Sequence, residues 1–375
     1  MKRLIRLGII LVLGLIALIF FINERNTTNL ANKAFRLREQ VTPSTTALPS
    51  TQTYEVITTG LDVPWALAFL PNGDLLITER IGKIKLLEKG FKNPAKLLYS
   101  VSDVKQIGES GLHGIAIDPK FTENNFIYIY YTYSSDGQNT LNRVVRFLLK
   151  NGTLGEQKTI VDQIPGALFH DGGRIKFGPD GYLYIATGDA QEPSLAQEKT
   201  SLAGKILRVT TEGKAPSDNP FGTLVYSYGH RNPQGLTWDT FGTLWETEHG
   251  NSATDEVNNI AKGANYGWPI ITGEQTKTGM QSPILQSGSD TWAPAGVAYI
   301  DGSLYFGGLR GQTLFSLDTK TNQLSKHFKG DFGRIREVIL GPDNLLYITT
   351  SNKDGRGNPA SNDDKIIRIN PKALE

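Results

Sequence analysis

RIKFGPDGYLYIATGD, residues 174–189, holds an apolar strand, a Gly-Pro-Asp-Gly turn and a second strand centred on Tyr184. The turn residues supply the backbone geometry that reverses a chain tightly, and the flanking alternation is that of a half-buried strand. The unit recurs. Its other copies are ALAFLPNGDLLIT from Ala66, GIAIDPKFTENNFIYIYYT from Gly114, GLTWDTFGTLWETEHG from Gly235, GVAYIDGSLYFGGL from Gly296 and EVILGPDNLLYITTS from Glu337, six in all. The central residues Leu76, Tyr128, Tyr184, Trp245, Tyr305 and Tyr347 are spaced by roughly 40 to 60 residues, the length of a four-stranded blade.

Most copies are followed by a third alternating strand, as in GKIKLLE, NRVVRFLL, GKILRV, QTLFSLD and DKIIRI; the fourth copy is looser there, with DEVNNIA. One face of each sheet is therefore packed and the other stacked or exposed. The fold class is all-β, a six-bladed β-propeller. TYEVITTG, residues 53–60, precedes the first complete copy and is expected to give a strand to the last blade, closing the ring and removing its open edge. A β-sandwich is the alternative, but six copies of one unit favour radial repetition.

A chain of 375 residues with forty glycines suits one large all-β domain, here residues 53–375. The net charge of +2, with Lys and Arg scattered, marks no nucleic-acid face, so no nucleic-acid partner is expected. Cysteine is absent, which removes disulfides, thiolate metal ligands and cysteine nucleophiles together. Lys2, Arg3 and Arg6 precede the uncharged apolar run Leu7 to Ile22, so residues 1–22 read as a signal peptide or membrane anchor. No small-residue cleavage pattern follows, which favours an uncleaved anchor; a buried core helix is the alternative. The basic flank stays cytoplasmic and sends the rest of the chain to the periplasm or an equivalent space. Residues 23–52, with VTPSTTALPSTQ, read as a flexible tether.

Function in a propeller sits on loops at one rim of the central channel. Four stretches combine glycine with ionisable residues there: IGESGLHG from Ile107, FHDGGRI from Phe169, YSYGHRNPQGL from Tyr226 and ETEHGNSATDEV from Glu246. Glycine lets backbone approach a ligand, while His, Arg and Asn supply proton transfer and anion contacts. There is no G-x-S-x-G elbow, phosphate-binding loop or H-E-x-x-H, which sets aside serine hydrolases, nucleotide hydrolases and zinc proteases. The residues alone define a ligand-binding or catalytic propeller, exported and tethered.

LDVPWALAFLPNGDLLITER, GLHGIAIDPKF, SLAGKILRV, GHRNPQGL and GANYGWP, in this order, resemble the soluble aldose sugar dehydrogenases that use pyrroloquinoline quinone (PQQ), relatives of soluble quinoprotein glucose dehydrogenase. The resemblance covers about residues 53 to 371 and implies a six-bladed propeller with PQQ and Ca²⁺ as cofactors. It implies oxidation of an aldose at its anomeric carbon to the lactone, with hydride passing to PQQ and electrons to an external acceptor. His170 matches the family's catalytic histidine, four residues before Arg174, and is cast as general base. Arg231 and Asn232 match a PQQ-contacting pair, Arg310 a cofactor-binding lysine, and Arg334 and Arg336 a further cofactor-contacting pair. Gly250 and Asn251 match positions whose backbone carbonyls hold Ca²⁺, and Asp189 matches a sugar-contacting aspartate.

Two positions depart from glucose dehydrogenase. Glu109 stands in place of a cofactor-contacting glutamine, where a carboxylate would repel the cofactor unless protonated or paired with arginine or Ca²⁺. Phe169 replaces an aspartate beside the catalytic histidine, so a sugar hydroxyl contact becomes an apolar wall and glucose specificity is not implied. Two other functions compete. One is a propeller without enzymatic activity that binds a protein or glycan. The other is a Ca²⁺-dependent lactonase, whose ion would need inward-facing ligands such as Asn232, Glu109 and Asn265.

Overall fold

Each copy of the repeat folds as a hairpin inside a four-stranded antiparallel sheet, as seen in a computed structural model that describes residues 53–374. The apolar run, the tether and the expected anchor lie outside the described residues. Among the described residues no helix is long and apolar enough to cross a membrane.

The chain begins with β1 (Tyr54–Thr58) and then builds blade 1 from β2 (Pro64–Phe69), β3 (Leu75–Glu79), β4 (Lys83–Leu87) and β5 (Lys96–Ser100). Blade 2 is β6 (Leu112–Ile117), β7 (Phe126–Tyr133), β8 (Leu141–Lys150) and β9 (Thr153–Pro165). Blade 3 is β10 (Ile175–Phe177), β11 (Leu183–Thr187), β12 (Lys205–Val209) and β13 (Val225–Tyr228). Blade 4 is β14 (Pro233–Trp238), β15 (Leu244–Glu248), β16 (Glu256–Ile260) and β17 (Leu285–Gln286). Blade 5 is β18 (Pro294–Ile300), β19 (Ser303–Gly308), β20 (Thr313–Asp318) and β21 (Leu324–His327). Blade 6 is β22 (Ile335–Leu340), β23 (Leu346–Thr350) and β24 (Ile366–Ile369), completed by β1. As expected, the N-terminal strand closes the ring. Tyr54 pairs with Ile369 and Val56 with Ile367, and Arg368 Nη2 reaches Glu55 Oε2 at 2.5 Å across the join.

The repeat has a physical cause beyond its turns. In four blades the polar tip of the central aromatic residue donates to an aspartate at the hairpin turn. Tyr128 bonds Asp118, Tyr184 bonds Asp180 and Tyr347 bonds Asp343, each at 2.9 Å, and Trp245 Nε1 bonds Asp239 at 3.1 Å. A buried tyrosine or tryptophan needs such a partner, and each ring removes about 150–250 Å² from water, worth roughly 4–6 kcal/mol at about 25 cal/mol per Å². The turn aspartate therefore lets a large ring pack between blades without a stranded hydroxyl.

The innermost strands β2, β6, β10, β14, β18 and β22 pack side by side around the channel, with β22 against β2. Gly235 on β14 sits where a Cβ would lie 2.4 Å from Ala295 O of the next blade, so only glycine allows this approach. In five blades the innermost strand slips in register near its channel end, at Trp65, His113–Gly114, Gln234, Ala295–Gly296 and Arg336–Glu337. Such bulges bend a strand and re-aim side chains. Here they turn Trp65, His113, Gln234 and Arg336 toward one central cavity.

Below those residues a buried ion pair spans the ring. Arg174, at the start of blade 3, donates through Nη1 to Glu337 Oε2 of blade 6, and the two side chains are 7% and 2% exposed. Arg174 also donates through Nε to Gln234 O at 2.9 Å and lies 4.4 Å over the Trp65 ring. Glu337 accepts from Leu67 N at 3.3 Å and Val338 N at 3.0 Å. Burial pushes the Glu337 carboxyl up, and Arg174 opposes the shift. Removing one partner of such a pair strands a buried charge. The Arg174→Met variant should therefore lose about 3–5 kcal/mol, read as a lower urea midpoint. Breaking the exposed Lys96–Glu88 pair with Lys96→Ala should leave that midpoint nearly unchanged.

Candidate active site

The channel widens at the loop rim into a polar cavity of about 560 Å³. Glu109, Phe169, His170, Arg231, Gly250, Arg310, Arg334 and Arg336, all singled out in the sequence, line it together. They come from loops of different blades, so convergence depends on the ring.

His170 sits on the loop entering β10 with φ +66°, an uncommon conformation for a residue other than glycine. A Cβ on Gly188 would lie 1.9 Å from His170 O, so the facing loop requires glycine for this placement. His170 Nδ1 is 2.8 Å from Asp189 Oδ1, and the histidine side chain is 19% exposed. Opposite an acceptor carboxylate Nδ1 carries the proton, which leaves the Nε2 lone pair free to accept one. Asp189 departs from the sequence expectation. It is fully buried behind His170 and absent from the cavity wall, with Oδ1 also taking Gln191 N at 2.9 Å and Oδ2 taking Trp268 Nε1 at 2.8 Å. With both oxygens occupied, it orients the imidazole and has none free for a ligand.

Asn232 departs similarly. Its buried side chain accepts from Gly172 N at 3.1 Å and approaches His249 Nδ1 at 3.4 Å through Nδ2, bracing the His170 loop from behind the wall. Arg231 does reach the cavity. Its Nη1 donates to His249 O at 3.2 Å, its backbone N–H to Glu248 Oε2 at 2.8 Å, and its buried Nε has no protein partner. Burial lowers its pKa, against the opposing charges of Asp189 and Glu248.

Arg334 and Arg336 are anchored by Asp354, at 2.8 Å from Arg334 Nε and 3.8 Å from Arg336 Nη2. Arg336 further bonds Ser351 Oγ at 3.2 Å and Gln234 Oε1 at 3.4 Å. Burial brings Arg336 down to about 10, which keeps it charged at neutral pH. Arg310 lies exposed at the rim. Glu109 finds the partner that its position demands, since Arg356 Nη1 donates to Glu109 Oε1. Burial would raise the Glu109 carboxyl, yet His249, Arg356 and Arg336 hold it down at about 2. The Arg356 guanidinium also lies 5.3 Å from the Phe169 ring. Five arginines and three carboxylates line the cavity, a donor excess that suits a ligand bearing several carboxylates.

Gly250 also lines the cavity, whereas Asn251 is exposed and is not on the wall. Asp255, which the sequence reading passed over, ties this loop down. Its Oδ1 accepts Gly250 N at 2.9 Å and its Oδ2 accepts Trp292 N at 2.6 Å and Ala293 N at 2.8 Å. A Cβ at Gly250 would lie 2.1 Å from Ala253 O, so the loop is folded tightly with backbone oxygens inside it, the donors a hard cation takes. The lactonase set does not assemble. Asn265 is held by Gln197, with Nδ2 to Oε1 at 2.8 Å, and of Asn232, Glu109 and Asn265 only Glu109 lines the cavity. Residues missed in the sequence include His113, His249, Arg356 and Trp268. Each lay inside or beside a quoted motif, but only tertiary contacts distinguish their roles.

The six-bladed ring and the sequence together place the chain among the sugar dehydrogenases. The chain belongs to the glucose/sorbosone dehydrogenase family, whose sequence model matches residues 61–367. It is 32% identical over 361 residues to the aldose sugar dehydrogenase YliI of Escherichia coli K12, covering 87% of this chain and 95% of that one. It is also 32% identical over 274 residues to quinoprotein glucose dehydrogenase B of Acinetobacter calcoaceticus, covering 64% of this chain and 57% of that protein. The structure of the PQQ-bound aldose sugar dehydrogenase from Streptomyces coelicolor superposes with a TM-score of 0.79 at 39% identity, covering 86% of this chain and 99% of that one.

Between blades 3 and 4 lies a second polar group. Donor atoms of His230, Glu246 and Glu248, all buried, lie within 4.8 Å of one another, close enough to share a divalent cation. Asn258 Nδ2 faces Glu246, Glu248 and Glu256 at 3.1, 3.4 and 3.3 Å. Burial and the neighbouring carboxylates push Glu246 well up and Glu256 up to about 8. Folding therefore holds protons that the unfolded chain releases above about pH 4.5, so the associated stability falls as pH rises toward 8. In chelator-treated protein Glu246→Gln should raise Tm at pH 8 and leave it unchanged at pH 5. Parallel melting curves across that range check the sign.

Proposed function

We propose that the chain is a quinoprotein that oxidises aldose sugars at the anomeric carbon to lactones and delivers the electrons to an external acceptor. The observation that carries this reading is His170 on the wall of an arginine-rich cavity, oriented from behind by Asp189. When bound, PQQ supplies the quinone that accepts hydride and Ca²⁺ the Lewis acid that polarises it. Arg231, Arg310, Arg334 and Arg336 would hold the carboxylates, and the carbonyls of Gly250 and Asn251 the ion. The orphaned Arg231 Nε and the tight Gly250 loop both fit that assignment.

His170 Nε2 takes the proton of the anomeric hydroxyl, and Asp189 stabilises the imidazolium that results. Arg356 neutralises Glu109, so this carboxylate does not oppose an anionic cofactor. Phe169 offers an apolar face beside the base, which suits the C–H face of a pyranose and relaxes the demand for any one hydroxyl pattern. The reading extends to location. Basic residues ahead of Leu7 to Ile22 support an uncleaved anchor, with residues 23–52 as tether and residues 53–375 facing the periplasm or its equivalent.

Apoprotein mixed with PQQ and Ca²⁺ should reduce an artificial dye when an aldose is added. His170→Ala should lower kcat by about 10²–10⁴-fold while PQQ still binds. Folded protein that neither binds PQQ nor reduces dye would overturn the reading; a His170→Ala variant with full turnover would remove only the assigned base.

A further inference from the structure

The segment GANYGWP, residues 263–269, has no part in the chemistry above, yet its tryptophan touches both halves of the site. Trp268 Nε1 donates to Asp189 Oδ2 at 2.8 Å, and the Arg231 guanidinium carbon lies 5.3 Å from the centre of the Trp268 ring. The indole is itself held firmly. Trp268 N–H donates to Gly229 O at 2.9 Å, and Trp268 O accepts Gln197 Nε2 at 2.6 Å. Gln197 is fixed in turn by Asn265, which it meets through both amide atoms. Asp189 N–H donates to Arg231 O at 2.8 Å, so the carboxylate and the arginine also share a backbone link.

We propose that Trp268 is a positioning residue that couples the cofactor-side arginine to the base: its indole N–H fixes Asp189, and so the tautomer of His170, while its ring seats Arg231. The inference rests on His170 being the base. Asp189 has no solvent to turn to, being fully buried, and its Oδ1 is already shared by His170 and Gln191. Without the indole, Oδ2 has no donor and the carboxylate is free to rotate toward another. Nδ1 of His170 then loses its fixed acceptor, and the Nε2–H tautomer becomes populated, which cannot take a proton at Nε2. The charged groups nearby are Arg231, whose charge interacts with Asp189, and Arg356 with Glu109 beyond Phe169. None of them replaces the indole as a donor to Oδ2.

The ring and the N–H are separable by substitution. Trp268→Phe keeps an aromatic face for Arg231 and removes the donor, whereas Trp268→Leu removes both. In ¹⁵N-histidine spectra of the PQQ-free protein, wild-type His170 should show the Nδ1–H tautomer and Trp268→Phe a mixture of the two. In holoenzyme the same variant should move the acid limb of the kcat/KM profile to lower pH, because the imidazolium loses its fixed carboxylate. It should also lower kcat about tenfold, part of the 10²–10⁴-fold that a positioned base contributes, with PQQ affinity unchanged. Trp268→Leu should also weaken PQQ binding in a fluorescence titration. A Trp268→Phe protein with the wild-type tautomer and pH profile would overturn the proposal. The unmodified chain supplies a second test that no folding defect can obscure. Its Trp268 indole N–H should exchange slowly and shift as His170 titrates, and an indole signal indifferent to that titration would equally overturn the coupling. The apoprotein readouts stand apart from the dehydrogenase reading. A tautomer change in protein that never binds PQQ would support the positioning role and sink only the activity.

Discussion

Arg174 and Glu337 face each other across the channel of a ring that is closed by the pairing of β1 with β24. Six twisted sheets converge at that axis, and their inner strands bring backbone together too closely for a thick apolar core. Gly235 shows the limit, with room for no Cβ against the next blade. A charged pair solves the packing problem where side chains from opposite blades must meet, with further hydrogen bonds offsetting part of the desolvation. Glu337 is bonded by Arg174 and two backbone N–H groups, and Arg174 by Glu337 and Gln234 O over the Trp65 face. The pair thus ties together blades 1, 3, 4 and 6, beneath the residues that need to be held in register.

The register slips on the inner strands connect this closed scaffold to its chemistry. A regular strand would alternate its side chains between the two neighbouring blades, and none would aim along the axis. At each slip one residue escapes the alternation, and Trp65, His113, Gln234 and Arg336 turn to the cavity in this way. The loops add His170, Arg231 and Arg310 from above. The strands thereby supply a floor and the loops the rest of the wall, with the loops pinned by buried Asp189, Asn232 and Asp255.

The blades were legible because their cause is local. A turn aspartate, an aromatic ring and an alternating third strand lie within a few tens of residues, and period-two patterning reports them directly. The looser third strand of the fourth copy is a real strand whose inward positions, Glu256 and Asn258, face the acidic group instead of an apolar neighbour. For the site, residue type marked the right loops but not the direction of each side chain. Asp189 and Asn232 have the chemistry of ligand contacts, and only the fold shows that their hydrogen bonds are spent on His170, Trp268, Gly172 and His249. Arg356 was passed over for the opposite reason. It follows the last repeat copy in a glycine-rich loop with nothing in its pattern to connect it to Glu109, which lies 247 residues earlier in the chain.

Electrostatics decides between the competing functions more firmly than shape does. A cavity lined by five arginines and three carboxylates carries a positive excess, and Arg231 and Arg336 are poorly solvated within it. Burial indeed lowers the pKa of both Arg231 and Arg336. Maintaining such charges without a counter-ion costs stability, and a surface that only docks a protein or a neutral glycan would have no need to concentrate them in a channel. The local carboxylates do not cancel the excess. Glu109 is engaged by Arg356, Asp255 spends both oxygens on backbone N–H groups, and burial raises Asp171 to about 6, where its charge begins to be lost. What remains is a desolvated set of fixed donors beside an oriented imidazole. An anionic, multiply charged ligand would stabilise that set most.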